Sequence, residues 1–131
     1  MRHREQALLL LKKAADDEAL LLEVIESRQV SDEIFGFHCQ QAVEKLLKAL
    51  LSDCRIDFPR THNLRLLMDL LADAGFLLPD TLTDLDILTP YGTLFRYEDF
   101  PSEIELDRHG LLTMVQQLRQ IVLTRLSQSD N

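Results

Sequence analysis

Glycine is scarce, and its four copies stand far apart at Gly36, Gly75, Gly92 and Gly110. Neither a GxGxxG turn nor a P-loop can be built from them, which excludes two common backbone cradles for phosphate. Cysteine occurs only twice. Cys39 and Cys54 fall on one expected helix, where their separation in sequence corresponds to roughly 22 Å, far beyond disulfide reach. No CxxC pair and no HExxH occurs, so no metal site and no cofactor is expected. No apolar run approaches the ~18 residues needed to span a bilayer. The apolar stretch at residues 7–11 stops at Lys12-Lys13 and is too short for a secretory segment, so a cytoplasmic location is expected.

Positive charge is also in short supply. Lys plus Arg number 14 against 22 Asp plus Glu, a net charge of −8. Such a chain is a poor general binder of nucleic acid, because neutralising phosphates takes clustered Lys and Arg. The deficit is uneven: residues 1–65 carry 10 basic and 11 acidic side chains, residues 66–131 only 4 and 11. An anion site is therefore expected in the first half, or at an isolated Arg of the second.

Leucine dominates what remains. It occurs 28 times, against 11 for Val and Ile together, which favours helix over sheet. No internal repeat, low-complexity segment or alternating strand pattern is present. The periodicity predicts five helical segments in one domain spanning 1–131, with a core at about 4–126 and a fraying C-terminal tail. The first covers 4–27, with Leu8, Leu11, Ala15, Leu22 and Ile25 inward and surplus leucines beside them. The second starts at Ser31, an N-cap, and ends before Pro59, with Phe35, Cys39, Ala42, Leu46, Ala49 and Leu50 inward and Glu44–Lys48 as an outer i,i+4 pair. The third begins around Thr61-His62-Asn63 and stops at Gly75. The fourth begins near Asp80 with Leu82, Leu85, Leu88 and Tyr91 inward, kinked or split at Pro90. The fifth opens on a capping box, Ser102-Glu103-Ile104-Glu105, and carries Gly110 in its interior. The expected fold is all-α, an up-and-down four-helix bundle with one additional short helix.

Three segments carry candidate chemistry. Arg60, Thr61 and His62 stand at the expected start of the third helix, where unpaired N–H groups and the positive dipole end favour an anion. Thr61 as a plain cap, with His62 bracing the link and Arg60 solvated, accounts for the same residues. Arg96 and Tyr97 lie among aromatics and acids, either as phosphate ligands or as a salt bridge with packing. His38, Gln41, Lys45 and Lys48 form a polar stripe on the second helix, either a solvated face or the border of a nucleotide groove.

Gln40-Gln41-Ala42-Val43-Glu44-Lys45-Leu46-Leu47-Lys48-Ala49-Leu50, then Thr61-His62-Asn63-Leu64, then Arg96-Tyr97, resemble in order and spacing the HEPN family, the "higher eukaryotes and prokaryotes nucleotide-binding" domain. The resemblance covers about 4–126. It implies a small helical bundle, frequent homodimers and, in many members, partnership with a minimal nucleotidyltransferase in toxin–antitoxin pairs. One large group of the family consists of metal-independent ribonucleases with Arg, four to six residues, then His. Here the positions after Arg96 hold Pro101, Ser102 and Glu103. Arg55 and His62 match the bare spacing but sit between the second and third helices, away from the family signature. No catalytic residue is assigned. The expected function is a non-catalytic HEPN domain, binding a nucleotide or other anion through Arg60, Thr61, His62, Arg96, Tyr97, Lys45 and Lys48, and acting as the partner of a separately encoded nucleotidyltransferase. The alternatives are a variant ribonuclease using Arg96 with His62 or His38, and a dimeric interaction module without a ligand. RNA is not an expected partner, nor is a membrane.

Overall fold

The computed structural model describes residues 2–92 and 106–128. Four α-helices run in the order α1 (Arg2–Val24), α2 (Asp32–Asp53), α3 (Leu64–Asp73) and α4 (Arg108–Gln128), with 3-10 helices Asp80–Leu82 and Leu85–Gly92 between the last two. No strand is present among the described residues. The all-α expectation holds. The expected fourth helix is not an α-helix: its inward residues Leu82, Leu85 and Leu88 repeat every three positions, which suits three residues per turn. Thr83 reinforces the tighter turn by donating its hydroxyl to the Asp80 carbonyl at 2.9 Å.

α2 is the central element and packs on α1, α3, α4 and the second 3-10 helix. Its apolar residues are therefore buried around most of its circumference, from Phe35 and Cys39 to Leu46, Leu47, Leu50 and Leu51. Ser31 caps it as expected, its hydroxyl accepting from the Ile34 N–H at 3.2 Å. It stops at Asp53, well before Pro59. There Arg55 turns the chain in the left-handed region at φ 60°, and the Ile56 N–H reaches back to the Leu51 carbonyl at 2.9 Å. α3 ends in the same way: Gly75 at φ 87° lets the Phe76 N–H bond the Leu71 carbonyl.

The inner face of α1 is shifted from its expected position. Ala7, Ala14 and Leu21 are buried at seven-residue spacing, together with Asp17 and Glu18, while Leu8, Ala15 and Leu22 are exposed. Asp17 and Glu18 explain the shift. Lys45 of α2 donates to Asp17 at 2.6 Å and Arg119 of α4 to Glu18 at 2.7 Å, so two acids occupy the inward side that leucines were expected to fill. At the helix start, Arg4 donates to the Leu126 carbonyl at 2.6 Å. These ties make α1 antiparallel to both α2 and α4.

α4 also begins elsewhere than expected. Residues 106 and 107 are not helical, and Asp107 caps α4 by accepting from the Gly110 N–H at 3.0 Å. Gly110 is thus in the first turn, where an added Cβ would collide with the Asp107 carboxylate. The capping box at 102–105 lies outside the described residues, as does the tail beyond 128.

Burial pushes the Cys39 thiol up to about 12, and burial raises that of Cys54 as well, against the lowering charges of Arg108 and Arg125 respectively. Native protein at mildly alkaline pH is expected to expose no rapidly reacting thiol at Cys39 and a slow one at Cys54, with both reacting on denaturation. A thiol titration that finds two fast groups in the native state would contradict this core placement.

Candidate functional site

Polar residues recur on α2 at Gln40, Gln41, Glu44, Lys45 and Lys48, three and four positions apart, so they share one side of the helix. The structure divides them into two clusters. In the first, Asp17 of α1 holds both His38, whose Nδ1 lies 3.0 Å from Oδ1, and Lys45. His38 and Lys45 are each about a quarter exposed.

The second cluster is built on Glu44, which is buried, not on the outer face expected of it. Lys48 donates to its Oε2 at 2.8 Å. Gln40 donates to its Oε1 at 2.9 Å, and His62 Nδ1 stands 2.8 Å from the same oxygen. The Gln40 amide also reaches the His62 carbonyl at 3.2 Å and accepts from Gln41 at 2.8 Å. Lys48 lies over the Phe58 ring, 5.8 Å from its centroid. Burial alone would raise the Glu44 carboxyl. The hydrogen bonds from Lys48, Gln40 and His62, with the charge of Lys48, outweigh that and hold it below its usual value.

An ionised carboxylate only accepts, so His62 must carry its proton on Nδ1. Its side chain is 57% exposed, and Nε2 is the nitrogen left to interact with a ligand. Protonated, Nε2 donates to an anion; neutral, it accepts a proton. Arg60, two residues earlier, is exposed and has no partner among the described residues.

The start of α3 differs from the expected open anion site. The cap is Asn63, not Thr61: Asn63 Oδ1 accepts from the Leu66 N–H at 3.2 Å. Thr61 instead accepts from the Asn63 N–H at 3.0 Å. The Leu64 N–H is taken by Thr89 Oγ1 at 3.2 Å. Most orphan donors of the helix start are therefore satisfied internally, and any anion affinity here rests on side chains. Of the expected ligands, the structure places Arg60, Thr61, His62 and Lys48 at the α2–α3 junction and ties Lys45, about one turn earlier on α2, to Asp17.

Arg96 and Tyr97 lie outside the described residues. The last residue before that segment is Gly92, packed so closely on Gln40 that an added Cβ would come within 2.6 Å of its amide nitrogen. Tyr91 lies on Gly36 in the same manner, 2.7 Å from a Cβ built there. The role of Gln40 was missed because glutamine on a helix carries no charge signal. That of Asp17 was missed because its partners lie 21 and 28 positions away. The i,i+4 pair Gln40–Glu44 was the available clue.

Among the described residues no helix is long and apolar enough to cross a membrane, and no three His, Cys, Asp or Glu side chains gather as a metal site. No curated protein and no solved structure matches the chain. The family model of the HEPN domain matches residues 7–126. That match spans α1 to α4 and includes both polar clusters of α2 and the link to α3, and the chain belongs to the HEPN domain family.

Proposed function

We propose that this chain is a cytoplasmic, non-catalytic HEPN module that binds a nucleotide phosphate at the α2–α3 junction and works as partner to a separately encoded minimal nucleotidyltransferase, in a toxin–antitoxin-like pair. The observation that carries the ligand is the Glu44 cluster: a buried carboxylate fixes His62 with Nε2 outward, beside Lys48 and two residues from the exposed Arg60. Arg60 and protonated His62 supply charge-assisted donors, and Lys48 adds charge from α2. Arg96 and Tyr97 join this reading on the sequence resemblance alone. The partner rests on family membership.

Titration of ATP or AMP into the protein is expected to show binding that weakens with salt, as screening over roughly 8–10 Å predicts. The pair Arg60→Ala/His62→Ala should weaken it at least about tenfold, the equivalent of ~1.4 kcal/mol. Equal affinity in both proteins, or none in wild type up to millimolar nucleotide, would leave a plain interaction module. Co-purification of a neighbouring nucleotidyltransferase tests the partner.

One observation favours a second reading. An imidazole held at Nδ1 by a carboxylate is how a general base is positioned. That would make His62 the base of a variant ribonuclease. The net charge of −8 and the absence of a His at 101–103, where the signature after Arg96 would place it, weigh against it. No cleavage of single-stranded RNA above background is expected. A chelator-insensitive activity abolished by His62→Ala would transfer the assignment to the ribonuclease.

A further inference from the structure

Between residues 65 and 92 the chain carries one base, Arg65, and five acids, all aspartate. Arg65 is engaged within the fold. It donates to the Thr83 carbonyl at 2.7 Å and to Asp86 at 2.9 Å, and it lies 3.8 Å from Asp69. Asp73, Asp80 and Asp84 are exposed and have no cation partner among the described residues. Asp73 stands in the last turn of α3, where no base is present, so its carboxylate adds to the negative end of the helix dipole. Beside these acids runs a groove of about 170 Å³, lined by Met68 and Ala72 of α3, by Phe76, Leu77 and Leu78, and by Thr83. Arg65, reaching from α3 to Thr83, bounds it as well. An apolar cavity of roughly 150 Å³ admits benzene, so this open groove has room for a leucine or an aromatic side chain. Leu77 is 79% exposed, more than any other large apolar residue described. It is held there between two fixed turns. Gly75 at φ 87° lets the Phe76 N–H bond the Leu71 carbonyl before it, and the Leu82 N–H bonds the Pro79 carbonyl after it.

We propose that this groove docks a segment of a different protein, one that presents a large apolar side chain with Lys or Arg on either side of it. The apolar side chain enters beside Leu77 and Met68. The flanking bases meet Asp73 on α3 and Asp80 and Asp84 on the segment opposite. Each of these acids is within two positions of a residue that lines the groove. Acids on both sides call for a cation on both sides of the apolar group, which a polypeptide supplies and a small amine of single charge does not. Charge also disfavours a second copy of this chain, which carries −8 overall and only 4 bases against 11 acids in residues 66–131. The charges select the partner and speed its encounter. The apolar contact supplies affinity, because the turns that hold Leu77 are already ordered before binding. None of these residues belongs to the phosphate site at the α2–α3 junction, so the groove stands or falls separately from it.

The chain contains no tryptophan. A synthetic peptide of one Trp flanked by paired lysines can therefore be followed by its own fluorescence as protein is added. Saturable binding is expected, with a Kd below about 1 mM at low salt and a loss of affinity as salt is raised. Leu77→Ser should raise the Kd at least about tenfold, and Ala72→Leu, which fills the groove from α3, should do the same, while circular dichroism confirms an unchanged fold. Asp73→Asn/Asp84→Asn should weaken binding several-fold and flatten its salt dependence. A peptide with Leu in place of Trp should compete, and one with Ser should not. No saturation up to millimolar peptide overturns the proposal. So does binding indifferent to both Leu77→Ser and Ala72→Leu, which would be attraction of lysines to an acidic protein at large. A peptide with Glu in place of Lys that binds equally well overturns the role of the acids. Self-association in sedimentation that Leu77→Ser abolishes would give the groove to a second copy and overturn the choice of partner.

Discussion

Arg108→Ala is expected to cost about 3–5 kcal/mol of folding stability, the range for removing one partner of a buried, multiply bonded charge. For a domain of this size that is a drop in Tm of roughly 10–20 °C. Arg108 opens α4 but holds together the connection between α1 and α2. Its Nη1 donates to the carbonyls of Val24, Ile25 and Ser27 at 3.0–3.4 Å. Its Nη2 donates to the Val30 carbonyl at 2.6 Å, and its Nε to Asp32 at 2.9 Å. The guanidinium lies 5.1 Å from the centroid of the Phe35 ring. α1 has no basic residue in its own last turn, so Arg108 supplies the cation that its C-terminal carbonyls favour. The same group meets Asp32 in the first turn of α2. Alanine would leave those carbonyls and Asp32 with no common donor. Arg108→Lys should recover only part of the loss, since an ammonium cannot fork to carbonyls on two sides. Thermal unfolding followed by circular dichroism measures both. A shift of under about 3 °C in Arg108→Ala would mean that water replaces the arginine at little cost.

Arg108 also shows where reading the chain by pattern stops. Its acceptors lie 76 to 84 positions away, and nothing in the periodicity around residue 108 points to them. The all-helical class, the cap at Ser31 and the stop at Gly75 were legible because each depends on residues within a turn of one another. The face of α1 was not. Its leucines outnumber its inward positions, and the choice among them was made by Asp17 and Glu18 finding bases on two other helices. The Leu82-Leu85-Leu88 spacing held the 3-10 period in plain sight, yet such spacing also fits one face of an α-helix over two turns. At the site, the resemblance drew attention to a stretch of α2 and to His62, which the structure brings together. It could not show that Glu44 is buried, or that Asn63 and Thr89 already satisfy most of the helix start. Both depend on how the link before α3 folds back over α2.

The acid limb of the stability profile should carry the signature of Glu44. Its carboxyl is held below the value of about 4.5 that it has in the unfolded chain, despite burial, by Lys48, Gln40 and His62. As pH falls below that value the unfolded state takes up the proton before the folded state does. Unfolding then binds protons, and stability rises with pH across that window. The contribution of this group is therefore complete above about 4.5 and disappears as pH drops through the lowered folded value. Glu44→Gln keeps the shape and removes the charge. At neutral pH it should cost about 2–3 kcal/mol, because Lys48 keeps its charge without its partner and the new amide sets a donor against donors. Below the carboxylate range the two proteins should converge, since wild-type Glu44 is then neutral too. Every other side chain is the same in both proteins, so the difference between them isolates Glu44. Urea unfolding of wild type and variant in steps from neutral to acid pH measures that gap. A gap that stays constant through the acid range would show that position 44 acts through packing. The electrostatic account of how His62 is held would then fall with it.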